Sequence, residues 1–288
     1  MKIEVRNLTY SYNRGLDSEI RALDDVSFTV ESGSFAGMIG QTGSGKSTLV
    51  QHLNGLLKPS SGKVLLDGQD LSGPDVRMAD IRRKTGLVFQ YPEDQLFEET
   101  VEKDIAFGPR NMGLEEEEIR ERVREALRIV GLDYDSFASR SPFELSGGQK
   151  RRVAIAGVIA MRPEALILDE PAAGLDPVSH RELLKMIHRF HDEKDCTILL
   201  VSHNMDDIAA YCDQVLVMDK GRLAASGTPR QVFSDRRGME KLGLGLPSGA
   251  ELIHLLKERG AEISGEETLT DEEAVTAVLG WLGKQRAG

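Results

Sequence analysis

The sequence predicts an α/β fold in which helices cover both faces of a parallel sheet. Short apolar segments alternate along the chain with amphipathic segments, an order typical of strand–helix–strand units. One apolar segment runs directly into a glycine-rich turn and then into a helical pattern. With 288 residues, of which 40% are hydrophobic and 29% are charged, the chain can bury a sizeable core.

The N-terminal elements follow from side-chain periodicity. Residues 3–12 alternate between apolar and polar side chains and predict a strand, and a second strand is predicted over 26–30 after a polar loop at 13–21. The short apolar run 35–39 is typical of a buried strand. The periodic segment 46–57 that follows the glycine-rich turn predicts a helix.

Strands and helices continue to alternate through the middle of the chain. Glu115 opens an amphipathic helix with acidic residues in its first turn, and Gly131 marks its end, so the glutamate run indicates a helix start rather than a metal site. Another helix is expected directly after Ser146. The remaining elements are predicted as strands over 64–66, 86–89, 165–168 and 197–201 and a helix over 178–193.

The character of the chain changes after about residue 228. The segment 243–249, GLGLPSG, resembles a linker or a turn, and two short amphipathic helices are predicted over 250–259 and 271–284. No catalytic motif lies in this region. Residues 229–288 are therefore predicted to form a small C-terminal extension to a domain spanning 1–228.

Composition excludes several classes of protein. The net charge of −11 argues against a bulk electrostatic nucleic-acid binder, so we expect no nucleic-acid partner. Cys196 and Cys212 have no paired spacing, and we expect two reduced, buried thiols with no disulfide and no zinc site. The N-terminus lacks the apolar core of a signal peptide, and the longest weakly polar stretch, 153–161, is about half the ~20 residues needed to span a bilayer. We do not expect the chain to cross a membrane by itself.

The glycine-rich turn matches the P-loop pattern G-x-x-x-x-G-K-[ST] and predicts a nucleotide phosphate site. Its glycines let successive backbone N–H groups converge on phosphate oxygens, and the following helix directs the positive end of its dipole at the anion. Lys46 supplies a charge for the β- and γ-phosphates, and the Ser47 hydroxyl suits Mg²⁺. The predicted site comprises Gly40, Gln41, Thr42, Gly43, Ser44, Gly45, Lys46, Ser47 and Thr48.

Two acidic residues follow the apolar strand predicted at 165–168. In P-loop NTPases the first acid of such a pair holds Mg²⁺, directly or through water, and an adjacent carboxylate can activate the attacking water. Asp169 is therefore the metal candidate and Glu170 the candidate general base. An apolar strand followed by two acids is weak evidence alone, but it becomes strong downstream of a P-loop.

A second anion-binding helix start lies about a hundred residues after the P-loop. A serine cap and two glycines open the helix after Leu145, and this site comprises Ser146, Gly147, Gly148 and Gln149. One compact P-loop domain does not need two phosphate-binding helix ends for one nucleotide. We therefore predict that two chains combine, each offering its serine end to the γ-phosphate bound by the other.

These motifs, in this order, resemble the nucleotide-binding domain of ATP-binding cassette (ABC) proteins. The resemblance covers about residues 1–228 and rests on GQTGSGKST, LSGGQ, LILDEP and a later histidine. It implies a RecA-like core, an N-terminal antiparallel β subdomain and a helical signature subdomain. It also implies ATP and Mg²⁺ as ligands, Gln90 as the Q-loop residue sensing Mg²⁺ and the membrane partner, Asp176 in the D-loop at the dimer interface, and His203 as the γ-phosphate switch.

An aromatic residue that stacks on adenine is a further implication of the resemblance. Tyr12 matches this position, and Tyr10 on the same face of the strand is the alternative. Either tyrosine alone could instead be an ordinary strand aromatic.

The segments 92–111 and 142–161 more specifically resemble the A-prime ATPase of energy-coupling factor (ECF) transporters. In that family two ATPases lie beneath a transmembrane T component, a separate S component captures a vitamin or a transition-metal ion, and a C-terminal extension helps the ATPases to dimerise. The resemblance implies a peripheral location on the cytoplasmic face of the cell membrane. Candidate contacts to the T component are Phe97, Glu98, Glu99 and Asp104.

Two alternatives remain open at this point. The chain could serve another ABC import system, such as a cobalt, nickel or amino-acid importer, and the membrane partner would distinguish them. A soluble ABC ATPase acting on DNA or ribosomes is the other alternative, but the span between P-loop and signature holds no long coiled coil, and the chain carries one cassette rather than two.

Overall fold

The computed structural model describes residues 1–263 and 268–287. Its strands are, in chain order, β1 (Ile3–Tyr12), β2 (Ile20–Val30), β3 (Phe35–Ile39), β4 (Ser61–Leu66), β5 (Gln69–Asp70), β6 (Thr85–Val88), β7 (Ala165–Asp169), β8 (Thr197–Val201), β9 (Gln214–Asp219) and β10 (Arg222–Gly227).

The helices cover the sheets and fill the connections between strands. They are α1 (Lys46–Leu53), α2 (Met78–Lys84), α3 (Val101–Asn111), α4 (Glu116–Ile129), α5 (Tyr134–Phe137), α6 (Gly147–Ile159), α7 (Pro177–Lys194), α8 (Met205–Tyr211), α9 (Pro229–Ser234), α10 (Arg236–Lys241), α11 (Ser248–Glu258) and α12 (Asp271–Ala287). Tight turns at Pro92–Gln95 and Pro142–Glu144 precede α3 and α6.

The larger sheet confirms the predicted parallel architecture. Its strand order is β10-β9-β3-β8-β7-β6, and all neighbours are parallel except β9 and β10. Alternate side chains of β3, β7, β8 and β9 enter two different cores. In β3, Phe35 and Ile39 face one core and Ala36 and Met38 face the other, so both faces of the sheet are covered by apolar packing.

A smaller antiparallel sheet and a helical region flank this core. The strand order of the small sheet is β2-β1-β4-β5. Helices α3, α4 and α6 pack together in the long connection between β6 and β7. The antiparallel β subdomain and the helical signature subdomain implied by the family resemblance are therefore both present.

Several boundaries differ from the sequence expectation. Strand β2 begins at Ile20, not at 26, because residues 20–25 already pair with β1 through contacts such as Tyr12 with Ile20. Helix α1 ends at Leu53, not at 57, because Gly55 has a φ of 64°, a left-handed conformation that stops the helix. Cys196 and Cys212 are both free and buried, as predicted.

The C-terminal region divides between two apolar clusters. Phe233 of α9 and Met239 of α10, two helices that the sequence pattern did not indicate, join the main core. Ile253 of α11 and Ala274 of α12 belong to a small separate cluster. The domain boundary at 228 stays a prediction, and positions 264–267 and 288 of the predicted extension lie outside the described residues.

Among the described residues, no helix is both long enough and apolar enough to cross a lipid bilayer.

Candidate functional site

The predicted phosphate loop connects the carboxyl end of β3 to the start of α1. Gly40 has a φ of 153°, and a Cβ there would lie 2.3 Å from the carbonyl oxygen of Met218. Gly45 has a φ of 103°, and its Cβ would lie 2.7 Å from the carbonyl oxygen of Ala22. Both positions therefore require glycine, because the loop packs against neighbouring backbone while its amides stay free to converge.

The loop has the features of an anion cradle. Gly45 caps α1 without any side-chain hydrogen bond, which leaves the amides of the first turn for an anion. The Lys46 ammonium donates to the carbonyl oxygens of Gly40 and Gln41 at 2.7 and 3.0 Å, so the loop folds around the charge. The buried Ser44 hydroxyl has no partner within the described structure. These observations fit a bound nucleotide phosphate.

Parallel strand ends bring the predicted acidic residues to this loop. Met38 of β3 pairs with Val201 of β8, and Val201 in turn pairs with Asp169 of β7. The residues that follow these strands therefore share one edge of the sheet. At this edge lie Gly40, Glu170 and His203, and Gln90 follows the adjacent strand β6.

Glu170 is the centre of a polar cluster at this edge. Its Oε1 lies 2.6 Å from His203 Nε2, and the Gln90 side-chain amide donates to its Oε2 at 3.5 Å. The backbone N–H of Glu170 donates to Val201 O at 3.0 Å. Glu170 also adopts a φ of 52°, a strained conformation for a side chain of this size that is held by the surrounding contacts.

Burial and charge shift the pKa values of Asp169 and Lys46 in opposite directions. Desolvation raises the pKa of the Asp169 carboxyl, and the nearby Glu170 adds to the rise, while a hydrogen bond from Ser47 and the charge of Lys46 oppose it. Desolvation lowers the pKa of Lys46, and Glu170 and Asp169 oppose that change. A buried carboxylate beside a serine hydroxyl is a donor set that suits a hard divalent cation such as Mg²⁺.

The two candidate adenine-stacking tyrosines lie in different environments. Tyr12 is exposed, and its hydroxyl is 3.1 Å from Thr48 Oγ1 at the start of α1. Tyr10 is half-buried against the core of the small sheet, and its ring contacts His52 edge-on at 4.7 Å. The rings of the two tyrosines also meet edge-on at 4.9 Å. The exposed ring beside the phosphate loop is therefore Tyr12.

The signature residues do not join the phosphate loop within one chain. Ser146 caps α6 in a reciprocal capping box with Gln149, and Gly147 and Gly148 form its first turn. Within the described part of the chain, no hydrogen bond or ion pair connects these residues to the loop 40–48. Asp176 caps α7 through Val178 N and Ser179 N at 3.0 and 3.1 Å. Within a single chain, Ser146 and Asp176 therefore serve as the N-caps of α6 and α7.

The candidate partner contacts lie beside an apolar groove of about 670 Å³ between α2, α3 and α6. Phe97 and Phe107 are both exposed there, with their rings edge-on at 4.9 Å. Glu99 pairs with Lys103 at 2.6 Å. Asp104 accepts hydrogen bonds from the backbone N–H groups of Phe97 and Glu98, so part of its role is to fix this turn.

Sequence reasoning missed a buried arginine that touches several of these segments. Arg151 of α6 pairs with Glu93 and also donates to backbone carbonyls after Glu170. Arg151 stands between two other basic residues in the sequence KRR, and nothing in this local pattern indicates that it is buried. A further missed residue is Gly221, whose N–H donates to Ser44 O at 2.9 Å and ties the phosphate loop to the β9–β10 turn.

Comparison with known protein families identifies relatives over nearly the whole chain. Residues 23–173 match the family model described as ABC transporter. The energy-coupling factor transporter ATP-binding protein EcfA2 of Clostridium tetani is 54% identical over 279 residues, which are 97% of this chain and 96% of the relative. The protein of the same name from Lactiplantibacillus plantarum is 46% identical over 100% of this chain and 98% of its own.

Solved structures have the same fold. That of cbiO1 from Clostridium perfringens, part of the ABC transporter complex cbiONQ, has a TM-score of 0.75 at 40% identity, covering 88% of this chain and 98% of that one. A dimeric ATP-binding cassette in a post-hydrolysis state, bound to ADP and Pi, has a TM-score of 0.70 at 28% identity over 79% of this chain and 98% of its own.

Proposed function

Because this chain belongs to the ABC transporter family, among the ATP-binding proteins of energy-coupling factor transporters, we propose that it binds ATP with Mg²⁺ and hydrolyses it to drive an importer of vitamins or transition-metal ions. The observation that carries this proposal is the meeting of the phosphate loop with Asp169, Glu170 and His203 at one sheet edge. The uncapped start of α1 and the buried Ser44 hydroxyl support a phosphate ligand there.

Each residue of this site has a separate role in the proposed hydrolysis reaction. Lys46 and the first-turn amides of α1 hold the phosphates, and the exposed ring of Tyr12 stacks on the adenine. Glu170 orients the attacking water as general base, and His203, whose Nε2 lies 2.6 Å from Glu170 Oε1, stabilises charge that develops on the γ-phosphate. Bound Mg²⁺ would neutralise phosphate charge, with Ser47, Asp169 and Gln90 as the residues that hold it.

A second ATPase chain completes the site. Among the described residues, the start of α6 forms no hydrogen bond or ion pair with the phosphate loop of its own chain, and a helix start with serine and glycines suits a phosphate. We assign Ser146, Gly147, Gly148 and Gln149 to the γ-phosphate held by the partner chain, and Asp176 to the interface between the two. ATP then closes the dimer and hydrolysis reopens it. The partner is a copy of this chain or a paralogue.

The apolar groove beside Phe97 and Phe107 is the proposed docking site for a membrane coupling protein, the T component, which in turn contacts the substrate-capturing S component. The groove borders the turn that follows Gln90, so displacement of that turn reaches the catalytic cluster. We therefore propose that the chain lies at the cytoplasmic face of the membrane as a peripheral subunit. Residues 229–288 contribute to dimerisation in this proposal, and their exposed apolar side chains on α11 and α12 support it.

The variant Glu170→Gln tests the catalytic assignment. We expect it to bind ATP with an affinity within about threefold of the wild type, to accumulate as an ATP-bound dimer, and to lose ~10²–10⁴-fold in turnover, the usual contribution of a general base. Turnover and nucleotide binding are measured on the purified complex of this chain with the second ATPase chain that co-purifies with it.

Glu164→Gln is the matched control, because Glu164 directly precedes the opposite end of the same strand and, among the described residues, its carboxylate forms an ion pair only with Lys84. The control is expected to keep wild-type turnover. If Glu170→Gln retains most of the wild-type rate, Glu170 is not the general base.

A further inference from the structure

Arg151 is a buried cation on the helix that begins with the signature residues. Its side chain is 3% exposed, and its guanidinium forms two hydrogen bonds with the Glu93 carboxylate, at 2.9 Å from Nε and 2.5 Å from Nη2. The remaining nitrogen, Nη1, donates to the carbonyl oxygens of Pro171 and Ala173 at 3.2 and 2.5 Å. The Tyr91 ring lies 5.7 Å from the guanidinium carbon.

These contacts join three segments that are far apart in sequence. Glu93 lies in the turn Pro92–Gln95, three residues after Gln90 and four residues before the groove residue Phe97. Pro171 and Ala173 directly follow Glu170. Arg151 itself is five residues after Ser146 on α6. One side chain therefore connects the docking groove, the signature helix and the backbone that carries the catalytic carboxylate.

The chemistry of the contacts explains why the residue is arginine. A planar guanidinium can donate to a carboxylate with one edge and to two carbonyl groups with another, whereas the single ammonium of lysine cannot span both partners in this geometry. Burial is the largest influence on Glu93 and would raise its pKa, but the hydrogen bonds and charge of Arg151, a hydrogen bond from the Glu93 backbone and the charge of Lys150 together hold that pKa below its ordinary value.

Stability alone is a weak reason for such a pair. A buried ion pair loses much of its Coulomb energy to desolvation, and well-packed apolar residues often replace it without loss. Apolar side chains, however, cannot form the directed hydrogen bonds that fix the position of one backbone segment relative to another. The arrangement therefore indicates a geometric role.

We propose that Arg151 is a positioning residue for ATP hydrolysis, holding the backbone after Glu170 in register with the turn beside the docking groove. Movement of that turn by a membrane partner then shifts the backbone that carries the catalytic carboxylate through the Arg151 side chain, in addition to the contact of Gln90 with Glu170. The inference rests on the proposed function, because it assumes that Glu170 is the general base.

Arg151→Lys and Glu93→Gln test this role. We expect each to lower kcat about tenfold or more while KM for ATP stays within about threefold, because small displacements of a catalytic group reduce the rate steeply without changing substrate contacts. Hydrogen exchange of the amides at 172–175 is expected to accelerate at least about tenfold, with β7 and the phosphate loop unchanged.

Arg152→Lys and Glu182→Gln are the matched controls. They alter the ion pair between Arg152, the next residue of α6, and the exposed Glu182, whose Oε2 lies 2.6 Å from Arg152 Nη2. This pair involves neither the turn Pro92–Gln95 nor the backbone after Glu170. We expect both controls to leave kcat, KM and exchange at 172–175 unchanged. Glu93→Gln keeps the shape of the side chain and the carbonyl contacts of Arg151, so it provides the measurement if Arg151→Lys does not fold.

A purely structural role predicts a different result. The variants would then show a lower Tm and fewer ATP-binding molecules, but wild-type kcat per bound ATP and wild-type exchange at 172–175, and this outcome would overturn the proposal. Failure of the proposed function is distinguishable, because Glu170→Gln would then retain turnover whatever the behaviour of Arg151→Lys.

Discussion

Single side chains decide the chemistry of this site, and Glu170 is the most constrained of them. Its left-handed backbone conformation, its contact with His203 at 2.6 Å and the approach of Gln90 at 3.5 Å all orient one carboxylate toward the phosphate loop. Asp169, its neighbour, points into a buried environment next to Ser47. Two adjacent acids thus have different surroundings and can take different roles.

The assignment of the adenine-stacking residue is tested at the same scale. We expect Tyr12→Ala to weaken ATP binding by about tenfold, because stacking of a base on an aromatic ring contributes ~1–3 kcal/mol. ATP affinity is measured by titration of the purified chain with a fluorescent ATP analogue in competition with ATP.

Tyr10→Ala is the control for this variant. Because the Tyr10 ring packs against His52 and the core of the small sheet, its removal is expected to lower Tm while ATP affinity stays within about twofold. Unchanged affinity in Tyr12→Ala together with weakened affinity in Tyr10→Ala would assign the stacking role to Tyr10.

The predicted phosphate contacts lie at the starts of two helices, one of which has no side-chain cap while the other has a capping box. Helix α1 begins at Gly45 without a side-chain cap, whereas α6 begins at Ser146 with a capping box that engages Gln149. The first end is available to an anion within the chain. In the second, the serine hydroxyl already accepts a hydrogen bond from Gln149 N, so stability and phosphate binding depend on the same side chain.

Two substitutions separate these roles of Ser146. Asp is as good an N-cap as Ser, so we expect Ser146→Asp to keep Tm within about 1 °C but to abolish ATP-dependent dimerisation, because a carboxylate repels the γ-phosphate. Ser146→Ala removes the cap and is expected to lower Tm by ~2–4 °C. Differential scanning fluorimetry and size-exclusion chromatography with ATP measure the two effects.

Thr228→Ala supplies the comparison, since Thr228 caps α9 with the same reciprocal capping box. It is expected to lower Tm to a similar extent and to leave ATP-dependent dimerisation intact. Normal ATP-dependent dimerisation of Ser146→Asp would exclude Ser146 from the interchain phosphate site.

At the scale of the whole molecule, several surfaces have the features of interaction sites. Its phosphate loop and its signature helix lack any hydrogen bond or ion pair between them in the described chain, its groove exposes two phenylalanines, and the C-terminal helices expose Leu252, Leu255, Val275, Leu279 and Leu282. Exposed apolar patches of this kind mark interaction surfaces. The ABC fold predicted from the sequence is confirmed, and its surfaces are consistent with partners on two sides.

Affinity purification from detergent-solubilised membranes of the source cells tests this organisation. We expect the tagged full-length chain to recover a second ATPase, a T-like coupling protein and a small hydrophobic binding protein, identified by mass spectrometry. Charge reversal at Glu98 and Glu99 is expected to reduce recovery of the coupling protein while the second ATPase is retained, because these acids flank the groove and not the ATP site.

Charge reversal at Glu116 and Glu117, which lie in the exposed first turn of α4, controls for the change in net charge. Full recovery of the coupling protein with the Glu98 and Glu99 variant would remove these residues from the docking site. Recovery of ribosomes or DNA factors without membrane proteins would contradict the transport function and leave the ATPase chemistry standing.

Structural features that depend only on short stretches of sequence could be predicted without a structure. The phosphate loop, the strand ending in Asp169 and Glu170, and the capped start of α6 each depend on neighbouring residues, because periodicity, glycine conformation and capping are local properties. The same local patterns predicted most strands and helices, and the motif order predicted the family. Boundaries such as the start of β2 were missed because pairing with β1 extends that strand through 20–25, ahead of the run 26–30 that the local pattern indicated.

Tertiary structure alone decided which distant residues meet. The order of strands in the larger sheet brings Gln90, Glu170 and His203 together, and side-chain packing places Arg151 between Glu93 and the backbone after Glu170. It also seats α9 and α10 on the main core, so their role is not that of a free tail. These contacts join residues tens of positions apart, and their geometry follows from the packing of whole elements, which no local pattern encodes.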